Sequence, residues 1–125
     1  MSLEVELVGD EAVPREEVRR LVGAALARAG VEAGHVAVAF VDAAEIARLN
    51  AAHRGKDGPT DVLSFPVDGT DAVAGPRELG DVVICPEHTT DLREAVVHGA
   101  LHLVGFDHEV DDGEMLAVQA EILGR

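Results

Sequence analysis

The chain lacks tryptophan and tyrosine, and its only aromatic residues are three phenylalanines. Few rings are therefore available for stacking on nucleic-acid bases. Basic residues are also scarce, since ten lysines and arginines stand against 24 acidic residues and the formal net charge is −14. Such an acidic field repels polyanions and excludes tight binding of free nucleic acid by charge alone. The least acidic stretch, residues 42–66, contains Arg48, Arg54 and Lys56, which form a local basic spot able to meet a phosphate.

A single cysteine, Cys85, excludes an internal disulfide framework and fits a reducing cytoplasm. Cys85 follows the apolar run 82–84, and we expect it to be a small buried hydrophobe rather than a metal ligand. The first residues carry neither the basic nor the apolar segment of a secretory signal, and no run of eighteen apolar residues occurs. The sequence therefore predicts one cytoplasmic domain with no membrane contact and no disulfide partner.

The hydrophobic patterns alternate between strands and helices along the chain. They predict strands at 3–8, 35–41, 61–65 and 81–85 and helices at 14–30, 42–49, 91–104 and 111–123, with a surface loop at 68–78. Capping-box pairs are expected at Asp42, Asp91 and Asp111, each with a glutamate three residues later. This order predicts an α+β fold in which a small mixed sheet of about four strands is covered by helices.

Three histidines dominate the candidate chemistry. His98 and His102 lie four residues apart and share one face of the third helix. Gly105 can end that helix in a left-handed conformation, so that His108 returns toward the same point. Three protein ligands would leave the fourth position of a zinc ion to water, which is the arrangement of a catalytic site. The alternative is that the histidines cap backbone groups or bond one another in a core.

The rest of residues 95–104 is almost entirely apolar, so this helix is expected to be central and buried. Buried imidazoles need polar partners, and the helix itself offers none. A bound metal is the partner that the sequence favours.

The spacing of His98, His102 and His108 is similar to the zinc motif of metzincin proteases. Gly99, however, stands where those enzymes carry the glutamate that acts as general base. Peptide hydrolysis by their mechanism is therefore disfavoured. We expect a glycine here to let a neighbouring backbone or a substrate approach closely.

The run 98–108, His-Gly-Ala-Leu-His-Leu-Val-Gly-Phe-Asp-His, resembles the signature of the YbeY family of ribosomal RNA maturation endoribonucleases. Two further blocks, at 49–66 and 80–84, agree with that family in the same order. The resemblance implies one YbeY-like zinc hydrolase domain over 1–125, with one Zn²⁺ per chain. It implies a single-strand-specific endoribonuclease that matures the 3′ end of small-subunit (16S) ribosomal RNA and serves ribosome quality control.

The resemblance assigns the zinc to His98, His102 and His108 and gives Arg54 a functional role, so that Arg54 and His98 are the predicted catalytic residues. Arg54 can clamp the scissile phosphate with two hydrogen bonds, or it can be a surface side chain paired with Asp57 or Asp61. Asp107 is expected to orient a ligand or to form the turn. The implied partners are ribosomal RNA and the small ribosomal subunit, with a ribosomal protein or a GTPase as a candidate protein partner.

Two departures from the family pattern bear on substrate binding. His53 stands where the family commonly has tyrosine, which weakens base stacking, although imidazole can still stack. The segment joining Cys85 to His98 is shorter than in many relatives, and we expect wider access to the zinc. We interpret His35, His53 and His88 as ordinary histidines, and Asp61 and Asp81 as turn residues outside the site.

Two other functions also fit the sequence. One is a zinc-containing ribosome assembly factor without catalysis, in which the metal only fixes the histidine helix. The other is a zinc hydrolase that acts on a peptide, an ester or a small phosphodiester.

Overall fold

The computed structural model describes residues 3–9, 11–67, 78–107 and 110–125. The strand and helix order is the predicted one, with a short 3-10 helix added before the third helix. Within the described part of the chain, no helix is long and apolar enough to cross a membrane. The elements are β1 (Leu3–Gly9), α1 (Arg15–Ala27), β2 (Gly34–Phe40), α2 (Ala43–Arg54), β3 (Val62–Pro66), β4 (Glu78–Ile84), a 3-10 helix (Pro86–His88), α3 (Leu92–Leu103) and α4 (Glu114–Leu123).

The four strands form one mixed sheet in the order β1-β2-β4-β3. Strand β2 pairs in parallel with β1 on one side and with β4 on the other, whereas β3 runs antiparallel to β4 along the edge of the sheet. This confirms the predicted α+β class and a mixed sheet of four strands. The predicted loop at 68–78 lies outside the described residues except for Glu78, which begins β4.

Alternation along β4 divides the core between the two faces of the sheet. Val82 and Ile84 join the larger cluster beneath α1, α3 and α4, whereas Val83 and Cys85 join a smaller cluster with Ile46 of α2. Cys85 is fully buried, as predicted for a small hydrophobe. Helix α2 therefore covers one face near the β3 edge, and α3 lies on the other.

The predicted caps explain where the helices begin and end. Asp42 and Asp91 each accept a hydrogen bond from the backbone of the glutamate three residues later, at 2.8 and 3.1 Å. At the end of α3, Gly105 has φ +97°, and the backbone N–H of Phe106 donates to the carbonyl of Leu101 at 3.1 Å. This pattern is a Schellman motif, and it confirms the predicted left-handed end of the histidine helix at Gly105.

Four predicted boundaries are corrected. Helix α1 ends at Ala27 and not at the predicted residue 30, because the backbone N–H groups of residues 28–30 donate to carbonyls three positions back. Helix α2 continues past 49 to Arg54, because Ala51 and Ala52 are strong helix formers although the apolar periodicity has ended. Strand β4 begins at Glu78, since its first residues already pair with β2. At α4 the N-cap is Gly113, although the Asp111 carboxylate still accepts from the Met115 backbone at 3.0 Å.

Gly99 sets how closely α3 approaches the sheet. A Cβ at this position would lie 2.4 Å from Val82 Cγ1, 3.2 Å from Val62 Cγ2 and 3.3 Å from Ser64 Oγ. The Ser64 hydroxyl also donates to the Gly99 carbonyl at 2.9 Å. The groups that approach Gly99 are thus sheet side chains, and not the backbone or substrate expected from the sequence.

We predict that Gly99→Ala destabilises the protein by about 1–3 kcal/mol, because the added methyl group overpacks a rigid β-branched neighbour. The free energy of unfolding in urea measures the effect. Gly23→Ala is the matched control in the interior of α1, where a Cβ would meet only Leu3 Cδ2 at 3.8 Å. That variant is expected to be stabilised by about 0.5–1 kcal/mol. Equal stabilisation of both variants would contradict the packing account.

Candidate active site

A cleft of about 770 Å³ runs along the edge of the sheet beside β3. His98 and His102 of α3 contribute to its lining, as do His53 and Arg54 at the end of α2. The two helices pack on opposite faces of the sheet, so the cleft extends around the outer edge of β3. This edge position brings together residues from sequence blocks more than forty positions apart.

The imidazoles of His98 and His102 converge in the cleft. Their Nε2 atoms are 3.2 Å apart, and the rings meet edge to face with centroids 4.8 Å apart. Both side chains are partly buried, whereas most of α3 around them is fully buried. The structure therefore brings two of the three predicted ligands together, as the i, i+4 spacing predicts. His108 lies outside the described residues.

The distance between His98 Nε2 and His102 Nε2 can be compared with the distance that a zinc ion requires between two ligand nitrogens. A tetrahedral zinc with Zn–N bonds of about 2.0–2.1 Å separates two ligand nitrogens by roughly 3.3 Å. The observed 3.2 Å fits that requirement, and also a hydrogen shared between the rings. Asp107 lines the same cleft one residue before His108. Within the described ranges, no set of three histidine, cysteine or acidic side chains forms a metal-binding group.

Gln119 of α4 is the polar partner that sequence reasoning missed. Its Oε1 lies 2.8 Å from His98 Nδ1, so His98 has a polar partner in the protein besides the metal that the sequence favoured. The partner comes from another helix, which the local pattern of α3 cannot reveal. A usable signal was present, since Gln119 is a lone polar residue on the buried side of an apolar helix.

Arg54 is the last residue of α2, and Gly55 ends the helix in the left-handed region with φ +64°. Arg54 lines the cleft, and among the described residues it forms no ion pair with Asp57 or Asp61. The Asp61 carboxylate instead accepts from the Val62 backbone at 2.8 Å. The alternative that Arg54 is paired with one of these acids is therefore wrong in this structure.

Asn50 supports the loop that follows Arg54. It is 4% exposed, and its Nδ2 donates to the Gly58 carbonyl at 3.0 Å. Its Oδ1 is buried and has no hydrogen-bond partner in the described part of the chain. Sequence reasoning missed this residue as well. Asn50 and Gln119 are the only buried polar side chains of the described residues, and each lies behind one wall of the cleft.

His53 lies against Phe65 on the α2 side of the cleft. The ring centroids are 4.9 Å apart at an interplanar angle of 63°. His53 is exposed and Phe65 is half-buried, so the pair presents ring surface to the cleft. His53 is therefore more than the ordinary surface histidine that the sequence suggested, since it belongs to a two-ring contact within the candidate site.

Acidic side chains line the cleft near the N-terminus of α3. Asp91 and Glu94 are both bound by Arg125, which lies 3.3 Å from Glu94. The Arg125 guanidinium holds the pKa of the Asp91 carboxyl below its usual value. Asp61 and Asp107 add two further carboxyl groups to the lining, so the prediction that Asp61 lies outside the site is wrong. The cleft thus combines one arginine with an acidic rim that is partly neutralised.

The remaining histidines have different surroundings. His88 lines the cleft from the short 3-10 helix. His35 on β2 lies between Glu78, at 2.7 Å, and Glu6, at 3.0 Å. Partial burial lowers the pKa of His35, but these two carboxylates outweigh it and raise the pKa above its usual value. His35 is thus a satisfied surface histidine, as predicted.

Comparison with known proteins gives consistent matches. The family described as Endoribonuclease YbeY matches residues 6–125. A protein of that name from Salinispora tropica is 38% identical over 148 aligned positions, covering 98% of this chain and 94% of the relative. Another from Bacillus cytotoxicus is 37% identical and covers 99% and 96%. Both alignments are longer than the chain, so these relatives contain insertions.

The fold is also similar to a solved structure. The solution structure of TM1509 from Thermotoga maritima superposes with a TM-score of 0.58 at 29% identity, covering 95% of this chain and 86% of that one. The sequence matches span nearly the whole chain, including both walls of the cleft. The chain therefore belongs to the endoribonuclease YbeY family.

Proposed function

We propose that this protein is a zinc-dependent endoribonuclease that cleaves single-stranded RNA in maturation of the 3′ end of 16S ribosomal RNA. The whole chain, 1–125, would act as one hydrolase domain in the cytoplasm. The observation that carries the proposal is the convergence of His98 and His102 in the same cleft as Arg54, which forms no ion pair with Asp57 or Asp61. Family membership supplies the class of reaction.

One Zn²⁺ per chain would be held by His98, His102 and His108. The 3.2 Å separation of the two described nitrogens supports this set, as does the reversal at Gly105 that turns the chain back toward the cleft. Zinc at this position would supply a nucleophile at neutral pH and a Lewis acid for a phosphoryl oxygen.

Arg54 would bind the scissile phosphate. A guanidinium can donate two parallel hydrogen bonds to phosphate oxygens and can stabilise the negative charge that develops during cleavage. Its position at the end of α2, across the β3 edge from the histidines, would leave the phosphate between the two walls of the cleft. The absence of an ion pair with Asp57 or Asp61 supports its availability.

The His53–Phe65 pair would contact a base next to the scissile phosphate. Stacking on an aromatic ring contributes about 1–3 kcal/mol per base without demanding a particular sequence. This contact suits a single-stranded substrate, because paired bases have no free face to offer.

The acidic rim of the cleft and the net charge of −14 oppose tight binding of free RNA. The small ribosomal subunit, with a ribosomal protein or a GTPase as protein partner, would supply the missing affinity. The same acidic rim favours the second candidate function, a zinc-containing assembly factor that binds the ribosome without cleaving RNA.

His102→Ala is expected to lower the zinc content from about one ion per chain to near zero and to abolish RNA cleavage, since it removes one of three ligands. Elemental analysis and cleavage of a single-stranded 16S 3′-end RNA measure the two effects. His88→Ala removes a cleft histidine outside the ligand set and is expected to keep its zinc. Full zinc content in His102→Ala would refute the site, and zinc without cleavage in the wild type would favour the assembly factor.

We expect Arg54→Ala to lower kcat by about 10²–10³ while zinc content is unchanged, because it removes a donor to the reacting phosphate. Arg54→Lys would recover only part of the activity, since lysine cannot form the bidentate contact. Arg48→Ala, in the same helix, removes an exposed arginine paired with Glu45 and should cleave RNA as the wild type does. A wild-type kcat for Arg54→Ala would rule out its role in the reaction.

His53→Ala should raise KM for single-stranded RNA several-fold with little change in kcat, because stacking would be lost while the reacting groups stay in place. His53→Tyr should have a KM equal to or below that of the wild type, since a larger aromatic ring can also stack on the base. Steady-state kinetics on a short oligonucleotide separate the two constants. An unchanged KM for His53→Ala would show that no base contacts this side chain.

A further inference from the structure

Gln119 occupies a position that packing alone would not give to a polar side chain. It is 8% exposed and lies on α4 between Val118 and Ala120, in a helix that packs against α3. Burying a carboxamide without a partner is unfavourable, and an apolar side chain would fill the same space at no such cost. Its partner in the structure is His98, whose Nδ1 is 2.8 Å from the amide oxygen.

The contact determines which nitrogen of His98 carries the hydrogen. An amide oxygen only accepts hydrogen bonds, so Nδ1 of His98 must donate. A neutral imidazole has one N–H, and the lone pair is then on Nε2. Nε2 is the atom that faces His102 at 3.2 Å. Gln119 therefore directs the Nε2 lone pair of His98 toward His102 in the cleft.

We propose that Gln119 is a positioning residue, which holds the His98 ring in the tautomer and orientation that a zinc ion requires. This inference rests on the proposed zinc site and adds a residue that touches neither metal nor substrate. Partners of this kind commonly contribute 10–100-fold to metal affinity, because they fix ligand geometry before the metal arrives.

Gln119 carries no charge, and this affects how strongly the site attracts an anionic substrate. A carboxylate in the same place would make the histidine a stronger ligand, but it would also add a negative charge behind the metal. A carboxamide orients the ring while leaving the positive charge of the ion available to an anionic phosphodiester. In a cleft with an acidic rim, that difference bears directly on substrate binding.

The test compares Gln119→Leu, Gln119→Glu and Val118→Ala in the full chain. Zinc affinity is measured by competition with a chelator, and the tautomer of His98 in the metal-free protein is read from ¹⁵N chemical shifts. We expect Gln119→Leu to bind zinc roughly 10–100-fold more weakly, with a thermal midpoint that is unchanged or raised. Gln119→Glu should bind zinc as tightly as the wild type or more tightly, since a carboxylate also accepts from His98 Nδ1. Val118→Ala, the matched neighbour in α4, should lower the thermal midpoint and leave zinc affinity unchanged.

The wild-type metal-free protein should show hydrogen on Nδ1 of His98, and the leucine variant should show both tautomers. Wild-type zinc affinity in Gln119→Leu, or hydrogen on Nε2 of His98 in the wild type, would overturn the inference while leaving the zinc site intact. If the wild type takes up no zinc, the proposed metal site fails and the inference fails with it. Weak zinc binding by the leucine variant supports the inference whether or not the wild type cleaves RNA.

Discussion

The close contact between α3 and the sheet at Gly99 is the constraint on which the site depends. Because no side chain separates the helix from Val82, α3 lies low on the sheet, and Ser64 can bond the Gly99 carbonyl. One residue away, His98 is thereby placed beside the edge strand β3. A larger residue at this position would lift the helix and displace both imidazoles from the wall formed by α2.

The same glycine explains why the likeness to metzincin proteases stops at the histidine spacing. A glutamate at position 99 would need space that the sheet already occupies, since even a methyl group would lie 2.4 Å from Val82 Cγ1. The packing of this chain therefore has no room for a general base directly after the first histidine. The polar groups that line the cleft come from elsewhere in the chain, as Arg54 and Asp107 do.

Two buried polar side chains support the two walls of the cleft. Gln119 is bonded to His98 behind one wall, and Asn50 is bonded to Gly58 behind the other. Elsewhere the described core is apolar, so these two residues stand out as departures from ordinary packing. Buried hydrogen bonds of this kind fix one arrangement of the groups they contact, because a displaced partner would leave a polar atom unsatisfied.

The order of elements, the caps at Asp42 and Asp91 and the left-handed helix end at Gly105 could be predicted from the amino-acid sequence, because they depend on local periodicity and on single residues. The sequence also predicted the convergence of His98 and His102, since i, i+4 spacing is a property of one helix. Contacts between side chains of different elements could be seen only in the folded structure. The Gln119 contact, the freedom of Arg54 from Asp61 and the packing at Gly99 all join segments distant in sequence, and no local pattern encodes such distances.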